Sequence, residues 1–233
     1  MTAHTPITLH PVVLRFAELF PTALPKFETH RRRSGGDLDH IDADSTPRNR
    51  LLIGGPDWAA EALGEIELMR HENLAEELAA LKALKRKKEM DVRIREGLKD
   101  PWKASKGGPL REVILTANRS YFDPTDGAPD PFDAAGAVGR AHAFEACAVK
   151  WLMTRFGADV IHARADHDET AYHIHAVILP RAEKVSARRG LQKTIQPSVH
   201  PLIADYEAAQ DDVGAFFATV GLRRGERTAA ARR

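Results

Sequence analysis

The residues best suited to chemistry lie together at 166–180, where the sequence reads Asp-His-Asp-Glu-Thr-Ala-Tyr-His-Ile-His-Ala-Val-Ile-Leu-Pro. On a β-strand alternate side chains share a face, so His173 and His175 project together while Ile174 points into the core. Two imidazoles about 7 Å apart, twice the rise per residue, can bind one metal ion. Two histidines with one carboxylate leave coordination positions open for substrate oxygens. The preceding turn supplies three candidate carboxylates: Asp166, Asp168 and Glu169.

A second group of polar residues consists of His30 and the three arginines 31–33 that follow it. The surrounding segment 21–50 contains three prolines, Gly35-Gly36 and scattered aspartates, which predicts a long loop. A histidine in such a loop can act as a nucleophile, and guanidinium groups beside it can clamp a phosphate. The same composition is also typical of an ordinary basic surface loop.

The elements that must position these residues follow from apolar periodicity. A long helix is predicted from Asp57 toward Glu96, because no Pro or Gly beyond Gly64 interrupts it before Gly97. The acidic turn 166–170 joins two strand-like runs into a hairpin, and a basic loop follows it. The pattern favours an α+β domain with a largely antiparallel sheet. Strands are predicted at 7–16, 110–117, 159–165 and 172–179, and further helices at 133–156, before a C-cap Gly157, and at 201–220.

Length and composition indicate a globular protein. The chain has 233 residues, of which 43% are hydrophobic, enough for one domain with a core. The single cysteine, Cys147, excludes an internal disulfide framework and a cysteine-cluster zinc site. No apolar run approaches the ~18 residues of a membrane span, and the first twenty residues do not have the pattern of a signal peptide. We therefore expect a protein without membrane insertion, in the cytoplasm.

The net charge is only +1, but the charges are segregated. Residues 57–77 hold seven acidic residues and one basic residue, whereas 82–106 hold ten basic and four acidic ones. Residues 181–195 hold five basic residues and one acidic residue. Locally positive surface on a near-neutral protein can bind a phosphate backbone, although solvated helix faces have the same composition.

Taken together, the two polar groups resemble the MobV-type plasmid mobilisation and recombination (Pre/Mob) relaxases of the HUH endonuclease superfamily. Those proteins carry His-x-x-Arg, matched by 30–33, and then Asn-x-x-Leu after an Asp-containing loop, matched by 49–52. Their third motif reads His-x-Asp-Glu-x-x-Pro-His-x-His followed by apolar residues and Pro, matched by 166–180. Two departures stand out: Asp166 occupies the place of the first metal-binding histidine, and Tyr172 that of the proline.

The resemblance implies an α+β fold with a central antiparallel sheet, flanking helices and one long helix after the nucleophile loop. Residues 1–222 would form the catalytic domain, and 223–233 a basic tail whose composition is compatible with disorder. The implied activity is strand-specific nicking of plasmid origin-of-transfer DNA, leaving a covalent 5′-phosphoryl-enzyme and a free 3′-OH. The implied partners are single-stranded or supercoiled plasmid DNA and conjugative coupling machinery.

The resemblance also assigns roles. A divalent ion, Mn²⁺ or Mg²⁺, would polarise the scissile phosphate for attack by a histidine. The implied metal ligands are Asp166, His173 and His175. The implied catalytic residues are His30 as nucleophile, Glu169 as its base or as a support for a ligating histidine, and Arg33 and Asn49 as positioning groups. The implied DNA-binding residues are Arg31, Arg32, Lys85, Arg86, Lys87, Lys88, Arg188 and Arg189.

Several alternatives stay open at this stage. Tyr172 is an alternative nucleophile, because other relaxases and replication initiators use tyrosine. His162 or His167 is an alternative metal ligand if Asp166 does not serve. The chain is also compatible with a relaxase homologue that binds DNA without cutting it, a rolling-circle replication initiator, or a small-molecule phosphoesterase.

Overall fold

A computed structural model describes residues 10–36, 38–122 and 136–226 of the chain. Predicted element ends at 7–9 and 133–135 lie outside the described residues. The strands are β1 (His10–Leu19), β2 (Arg50–Ile53), β3 (Leu110–Ala117), β4 (Val160–Asp166), β5 (His173–Ile178), β6 (Arg181–Ser186), β7 (Gly190–Ile195) and β8 (Leu222–Arg224). The helices are α1 (Leu24–Arg31), α2 (Trp58–Ala83), α3 (Lys87–Glu96), α4 (Arg119–Phe122), α5 (Gly136–Phe156), α6 (Pro201–Ala204) and α7 (Tyr206–Phe217).

Six strands form the central sheet in the order β2-β4-β5-β3-β1-β8. All neighbours are antiparallel except β1 and β8, which run parallel. The β5 strand, which carries the His-x-His motif, lies between β4 and β3. Its register pairs His173 with Asp166 and Thr116, and His175 with Arg164 and Ile114. The motif is therefore anchored by strands on both sides, in the interior of the sheet.

The two faces of the sheet are covered by different helices. Helices α5 and α7 pack on one face over an apolar core that includes Phe144, Trp151, Ile174 and Phe217. Helices α1 and α2 lie over the other face, where a smaller core gathers around Leu24, Trp58, Ile66 and Val177. Because side chains alternate along β5, Ile174 enters the first core and the two histidines face the α1 side.

Most predicted elements are confirmed. The strand at 110–117 has the bounds of β3, the acidic turn joins β4 to β5, and Gly157 follows α5 with a φ of 54°. The fold class is confirmed as α+β, and the 26-residue α2 is the long helix after the segment 21–50. The first strand extends farther than predicted, to Leu19, and β2 was not predicted.

Four predicted elements are wrong in detail. The segment 21–50 is not one long loop, because α1 occupies Leu24–Arg31 and carries His30 in its last turn. The long helix does not run to Glu96 but breaks at Lys85, whose φ of 56° is left-handed, and α3 starts afresh. The helix predicted at 201–220 is divided at Asp205, whose side chain caps α7 by accepting from the Ala208 amide. The basic loop after β5 is in fact the β6–β7 hairpin, a separate two-stranded sheet that packs against α2.

The chain's end partly joins the sheet. Arg223 and Arg224 belong to β8, and the Arg224 guanidinium pairs with Asp211 and Glu207 on α7. At Gly214 a Cβ atom would stand 2.6 Å from the Cβ of Arg224, so only glycine permits this approach of α7 to β8. Residues 227–233 of the predicted tail lie outside the described residues. Among the helices that are described, none is long and apolar enough to span a bilayer.

Candidate metal and nucleophile site

Four side chains bring potential metal ligands together at the end of the β4–β5 hairpin. One donor atom from each of Asp166, Glu169, His173 and His175 lies within 4.8 Å of all the others. The Nε2 atoms of the two histidines are 2.7 Å apart. Oδ2 of Asp166 lies 3.7 Å from Nε2 of His173 and 3.8 Å from Nε2 of His175. Oε2 of Glu169 is 3.5 Å from Nε2 of His173.

The hydrogen bonds around the two histidines fix which ring nitrogen carries the proton. Nδ1 of His173 lies 2.6 Å from the carbonyl oxygen of Ala171, and Nδ1 of His175 lies 2.6 Å from Oε1 of Glu112. Both partners are acceptors, so each Nδ1 donates and Nε2 of each ring is the nitrogen left to ligate a metal ion. Burial, and then the neighbouring His175, lower the pKa of His173, which disfavours the protonated form of that ring. A divalent cation suits this pair of converging lone pairs.

Asp166 is fully buried on the same face of β4. Burial raises its pKa, while Arg164, with Nη2 2.7 Å from Oδ2, acts in the opposite direction. Despite that charge pairing, neither carboxylate oxygen accepts a well-aligned hydrogen bond. A buried carboxylate with unfilled acceptor positions, beside two imidazole nitrogens, offers mixed oxygen and nitrogen ligands to a divalent ion. The donor set therefore fits a divalent metal ion.

His30 lies beside this donor set, in the last turn of α1. Its Nε2 is 3.0 Å from Nη1 of Arg33 and 3.5 Å from Oε1 of Glu169. Arginine can only donate, so Nε2 of His30 is the unprotonated nitrogen. Burial and the charge of Arg33 lower the pKa of His30, with Glu169 opposing them. The ring of His40 stacks on it, with the centroids 5.7 Å apart.

Arg33 connects the His30 segment to the turn after β4. Its φ of 51° places it in the left-handed region and its side chain is only 8% exposed. Nε and Nη2 donate to the two carboxylate oxygens of Asp168 at 3.0 and 2.6 Å, and Nη2 also donates to Glu169 at 3.0 Å. The Arg33 guanidinium thus contacts His30, Asp168 and Glu169, which fixes the distance between His30 and the turn that joins β4 to β5.

The loop at 38–49 holds the same turn from a second side. Burial alone would raise the pKa of Asp168, but hydrogen bonds from Arg33, Thr46 and Asn49 hold it at about 2. Oγ1 of Thr46 donates to Oδ2 of Asp168 at 2.8 Å, and the His167 amide donates to Oδ1 of Asn49 at 2.7 Å. Asn49 therefore holds the backbone of the turn after β4, and the positioning role that the resemblance implies for it stays a prediction.

Three alternative residues lie away from the donor set. The Tyr172 hydroxyl donates to Oε1 of Glu145 at 3.1 Å on the α5 face, where burial raises the pKa of the phenol. His167 contacts the same carboxylate, at 3.3 Å. His162 is buried against Trp58, with ring centroids 4.3 Å apart, and burial lowers its pKa to about 3. The structure does not bring any of these three side chains to the ligand cluster.

The candidate DNA-binding residues separate into two regions. Near His30, Arg31 is held by both oxygens of Glu28 at 2.6 and 2.7 Å, while the side chain of Arg32 is 56% exposed. The other six lie toward the C-terminal end of α2, where Arg189 is 3.7 Å from Glu77. There α3 and the β6–β7 hairpin meet through Arg188 and Glu89, 3.0 Å apart. A groove of about 360 Å³ runs between them, with Lys88, Arg188 and Arg189 in its lining together with the carboxylates of Glu77, Glu89 and Glu96.

Some residues of the site were missed by the sequence reasoning: Glu112, Arg164 and His40. Glu112 and Arg164 reach the site only through the register of β3 and β4 with β5. A charged residue inside an otherwise apolar strand is the signal that marks them, because such a residue needs a partner. His40 has no such signal, since it lies in a loop whose path the sequence does not define.

Comparison with solved structures returns relaxase domains. Mn-bound crystal structures of the MobM relaxase domain (MOBV; Mob_Pre) with plasmid pMV158 oriT DNA share the fold. The structure at pH 6.8, with a 22-nucleotide DNA and a 3′-thiophosphate, is 15% identical, with a TM-score of 0.60 over 96% of this chain and 94% of that one. The structure at pH 4.6 is 14% identical, with a TM-score of 0.59 over 96% and 95%.

A third structure, with 23 nucleotides, is 16% identical, with a TM-score of 0.56 over 95% of this chain and 92% of that one. No family model matches the sequence, and no curated protein matches it. The likeness extends over nearly the whole of each chain, so the architecture is that of a relaxase domain. At this level of sequence identity the likeness shows the fold alone, and the reaction depends on the residues of this chain.

Proposed function

We propose that this protein is a relaxase: a metal-dependent, strand-specific DNA endonuclease that nicks plasmid origin-of-transfer DNA and keeps the 5′ end as a covalent phosphoryl-enzyme. One observation carries the proposal. His30 lies next to a buried donor set whose two histidine lone pairs converge, and Arg33 ties the two together. A nucleophile beside a divalent-ion site is the arrangement that phosphoryl transfer requires.

The ligand residues supply a site of mixed charge. Asp166, His173 and His175 would hold the ion, and Glu169 offers a fourth donor on the side of His30. When bound, the ion polarises the scissile phosphate and offsets the charge that develops on its oxygens. Glu112 and the Ala171 carbonyl keep the two imidazoles in the ligating tautomer. Outer partners of this kind typically contribute about 10–100-fold to metal affinity.

His30 is the nucleophile in this proposal. Its lowered pKa keeps the ring neutral near pH 7. The Nε2 lone pair accepts from Arg33 in the free protein, and it becomes available for attack on phosphorus when Arg33 turns that N–H to the phosphate. A bond forms from Nε2 to phosphorus as the bond from phosphorus to the 3′ oxygen breaks. The leaving oxygen takes a proton from solvent to become the 3′-OH, and the ring releases its Nδ1 proton to solvent, so the step is balanced. Arg33 orients the ring and adds positive charge beside the phosphate.

The basic surfaces complete the DNA path in this account. Arg32 lies next to the nucleophile, and the α3 groove with Lys88, Arg188 and Arg189 lies at the distant end of α2. A substrate that reaches both must extend beyond the few nucleotides at the cleavage site. The bound oriT DNA in the MobM structures supports a DNA ligand of this kind.

A second function is favoured by one specific observation. Asp166 replaces the histidine that the resemblance places there, and Arg164 already pairs with its carboxylate. If that ion pair outcompetes a metal ion, the protein binds its DNA site without cutting it. This alternative predicts sequence-specific DNA binding with no dependence on Mn²⁺.

The test begins from a random-sequence single-stranded DNA library, because no target is known. Wild-type protein with Mn²⁺ is expected to cut a subset of strands at one position, and EDTA is expected to abolish the cut. His30→Ala should retain affinity for the selected strand within several-fold. Selective binding without cleavage in any divalent ion would favour the non-cleaving alternative.

A further inference from the structure

Arg164 is a buried cation on β4 that the proposed mechanism does not use. Its side chain is 6% exposed and lies between Asp166, on the same face of the strand, and the end of α1. Nη2 is 2.7 Å from Oδ2 of Asp166, and Nη1 donates to the carbonyl oxygen of Arg31 at 3.1 Å. This guanidinium therefore connects a candidate metal ligand to the helix that carries His30.

The pairing of Arg164 with Asp166 is short but poorly directed. Among the described residues, neither oxygen of Asp166 accepts a well-aligned hydrogen bond, and Nε of Arg164 donates none. The aligned hydrogen bond of this guanidinium goes to the Arg31 carbonyl, so α1 and not the carboxylate sets its orientation. Arg164 thus offsets the charge of Asp166 and leaves the lone pairs of that carboxylate free for another cation.

The charges around the donor set show what this pairing changes. Asp166 and Glu169 bring two negative charges to the two imidazoles. The histidine that the resemblance places at position 166 is a neutral ligand, and a donor set built on it has one negative charge fewer. Asp166 and Arg164 together are also neutral. The pair therefore gives the site the charge that a histidine would give, with an oxygen ligand in place of a nitrogen.

We propose that Arg164 is a positioning residue that makes Asp166 the electrostatic equivalent of a neutral ligand, so that the site binds its divalent ion less tightly but activates the phosphate more strongly. The inference rests on the proposed function and deepens it. A positive charge beside a ligand oxygen repels a second cation and lowers the negative charge that the ligand offers. A bound cation that keeps more of its charge polarises a phosphate more strongly.

The first experiment removes the charge of Arg164 and keeps a hydrogen-bond donor. Arg164→Gln is neutral and retains an amide donor for the Arg31 carbonyl, whereas Arg164→Lys keeps the charge. Arg93→Gln is the matched control, because Arg93 on α3 is also buried and paired, with Nε 2.7 Å from Oε2 of Glu77. Mn²⁺ affinity is measured by calorimetry, and thermal unfolding of the metal-free proteins shows whether each variant is folded.

Arg164→Gln should bind Mn²⁺ at least about tenfold more tightly than wild type, the lower end of the coupling between close charge pairs. Arg164→Lys should bind Mn²⁺ about as tightly as wild type, because the charge is retained. Arg93→Gln should lose stability without a change in Mn²⁺ affinity. Weaker binding by Arg164→Gln would show that Arg164 only supports the ligand, and an equal gain in Arg93→Gln would show a general charge effect. Either result would overturn the proposal.

The second experiment puts a neutral ligand at position 166. Asp166→His leaves the Arg164 guanidinium beside a ring that does not balance its charge. The double variant Asp166→His/Arg164→Gln lacks both charges of the pair, and it serves the test even if Arg164→Gln alone does not fold. It should bind Ni²⁺ at least about tenfold more tightly than Asp166→His. Equal Ni²⁺ affinities would contradict the neutral-pair account.

Nicking rates separate this inference from the proposed function. At saturating Mn²⁺, Arg164→Gln should cut the selected strand more slowly than wild type, because its ligand set offsets more of the charge of the ion. Equal or faster cutting would remove the activating role and overturn the proposal. Mn²⁺ binding by Arg164→Gln but not by wild type, with no cleavage by either protein, would support the weakening of metal binding by Arg164 and reject the relaxase proposal.

Discussion

The two faces of the β4–β5 hairpin hold polar clusters of opposite character. On the α5 face, Glu145 accepts from the Tyr172 hydroxyl at 3.1 Å and pairs with His167 at 3.3 Å and Arg50 at 2.7 Å. On the α1 face, two imidazole lone pairs meet, and the Asp166 oxygens lack aligned donors. Neighbouring residues of one motif, 166 and 167 or 172 and 173, therefore enter different environments.

The difference separates a structural network from a ligand site. Buried polar groups in proteins are usually satisfied, and the Glu145 cluster follows that rule. Acceptors that converge without donors are costly unless a cation completes them. The motif thus has two functions: its α5-facing residues hold the hairpin in place, and its α1-facing residues offer ligands.

The largest effect is expected when the candidate metal-ligating histidines on the α1 face are replaced. His173→Ala and His175→Ala should each lower Mn²⁺ affinity by more than about 100-fold, beyond the effect of outer partners, and should abolish nicking. Ile174→Ala, between them, should cost about 2–5 kcal/mol of stability and keep metal affinity. Calorimetric Mn²⁺ titration and thermal unfolding measure both quantities. Equal metal affinity in all three variants would show that this strand does not present ligands.

The next comparison concerns adjacent residues on the two faces. Asp166→Ala should remove metal-dependent nicking, whereas His167→Ala should cut normally, because its ring contacts Glu145 instead of the donor set. Asp166→His should restore nicking with a shift toward Zn²⁺, Co²⁺ or Ni²⁺, since imidazole is a softer ligand than carboxylate. Nicking rates in a series of divalent ions provide the readout. An inactive His167→Ala beside an active Asp166→Ala would move the ligand to the histidine.

A smaller effect, on stability alone, is expected on the structural side. Glu145→Ala leaves the partners Arg50, His167 and Tyr172 unpaired, which should cost about 1–3 kcal/mol. Tyr172→Phe removes one hydrogen bond and should cost about 1 kcal/mol. Denaturant unfolding measures these losses, and Mn²⁺ affinity and nicking should stay within about twofold per folded molecule. Loss of nicking in folded Tyr172→Phe protein would indicate that Tyr172 is the nucleophile.

The smallest expected effect concerns the basic segment 85–88 at the junction of α2 and α3, far from the β4–β5 hairpin. Each phosphate that a protein neutralises adds about 0.9 to the slope of log affinity against log salt for duplex DNA and about 0.7 for single strands. Replacing Lys85, Arg86, Lys87 and Lys88 together by Gln should flatten that slope by two units or less, because Arg86 is partly engaged by Glu89 at 3.3 Å. Lys150→Gln on α5 is the control. An unchanged slope would mean that the segment 85–88 does not contact DNA.

The sequence predicted those parts of the fold that local patterns determine. Alternation along β3 and β5 fixed which residues share a face, so the projection of His173 and His175 was predictable. The break at Lys85 was not, because neither Gly nor Pro marks it and the left-handed backbone is adopted by a lysine. The β6–β7 hairpin was missed because its residues are too polar to resemble a strand.

The site residues that lie within one short sequence segment were predictable. Those that depend on the pairing of separate strands were not. His30, Arg33 and the hairpin residues were found because short motifs hold them. Glu112 reaches His175 through the pairing of β3 with β5, across more than sixty residues of sequence. Arg164 lies on β4 and faces the site because β4 pairs with β5. No single-sequence pattern gives that register, since each strand alone fits several partners.

The most direct test of the account is to trap the covalent adduct and identify the modified residue. Wild-type protein is incubated with Mn²⁺ and the selected single strand, digested, and analysed by mass spectrometry. The account predicts a nucleotide linked through its 5′ phosphate to His30, with no adduct in EDTA or in His30→Ala. An adduct on Tyr172, or complete cleavage by His30→Ala, would contradict it.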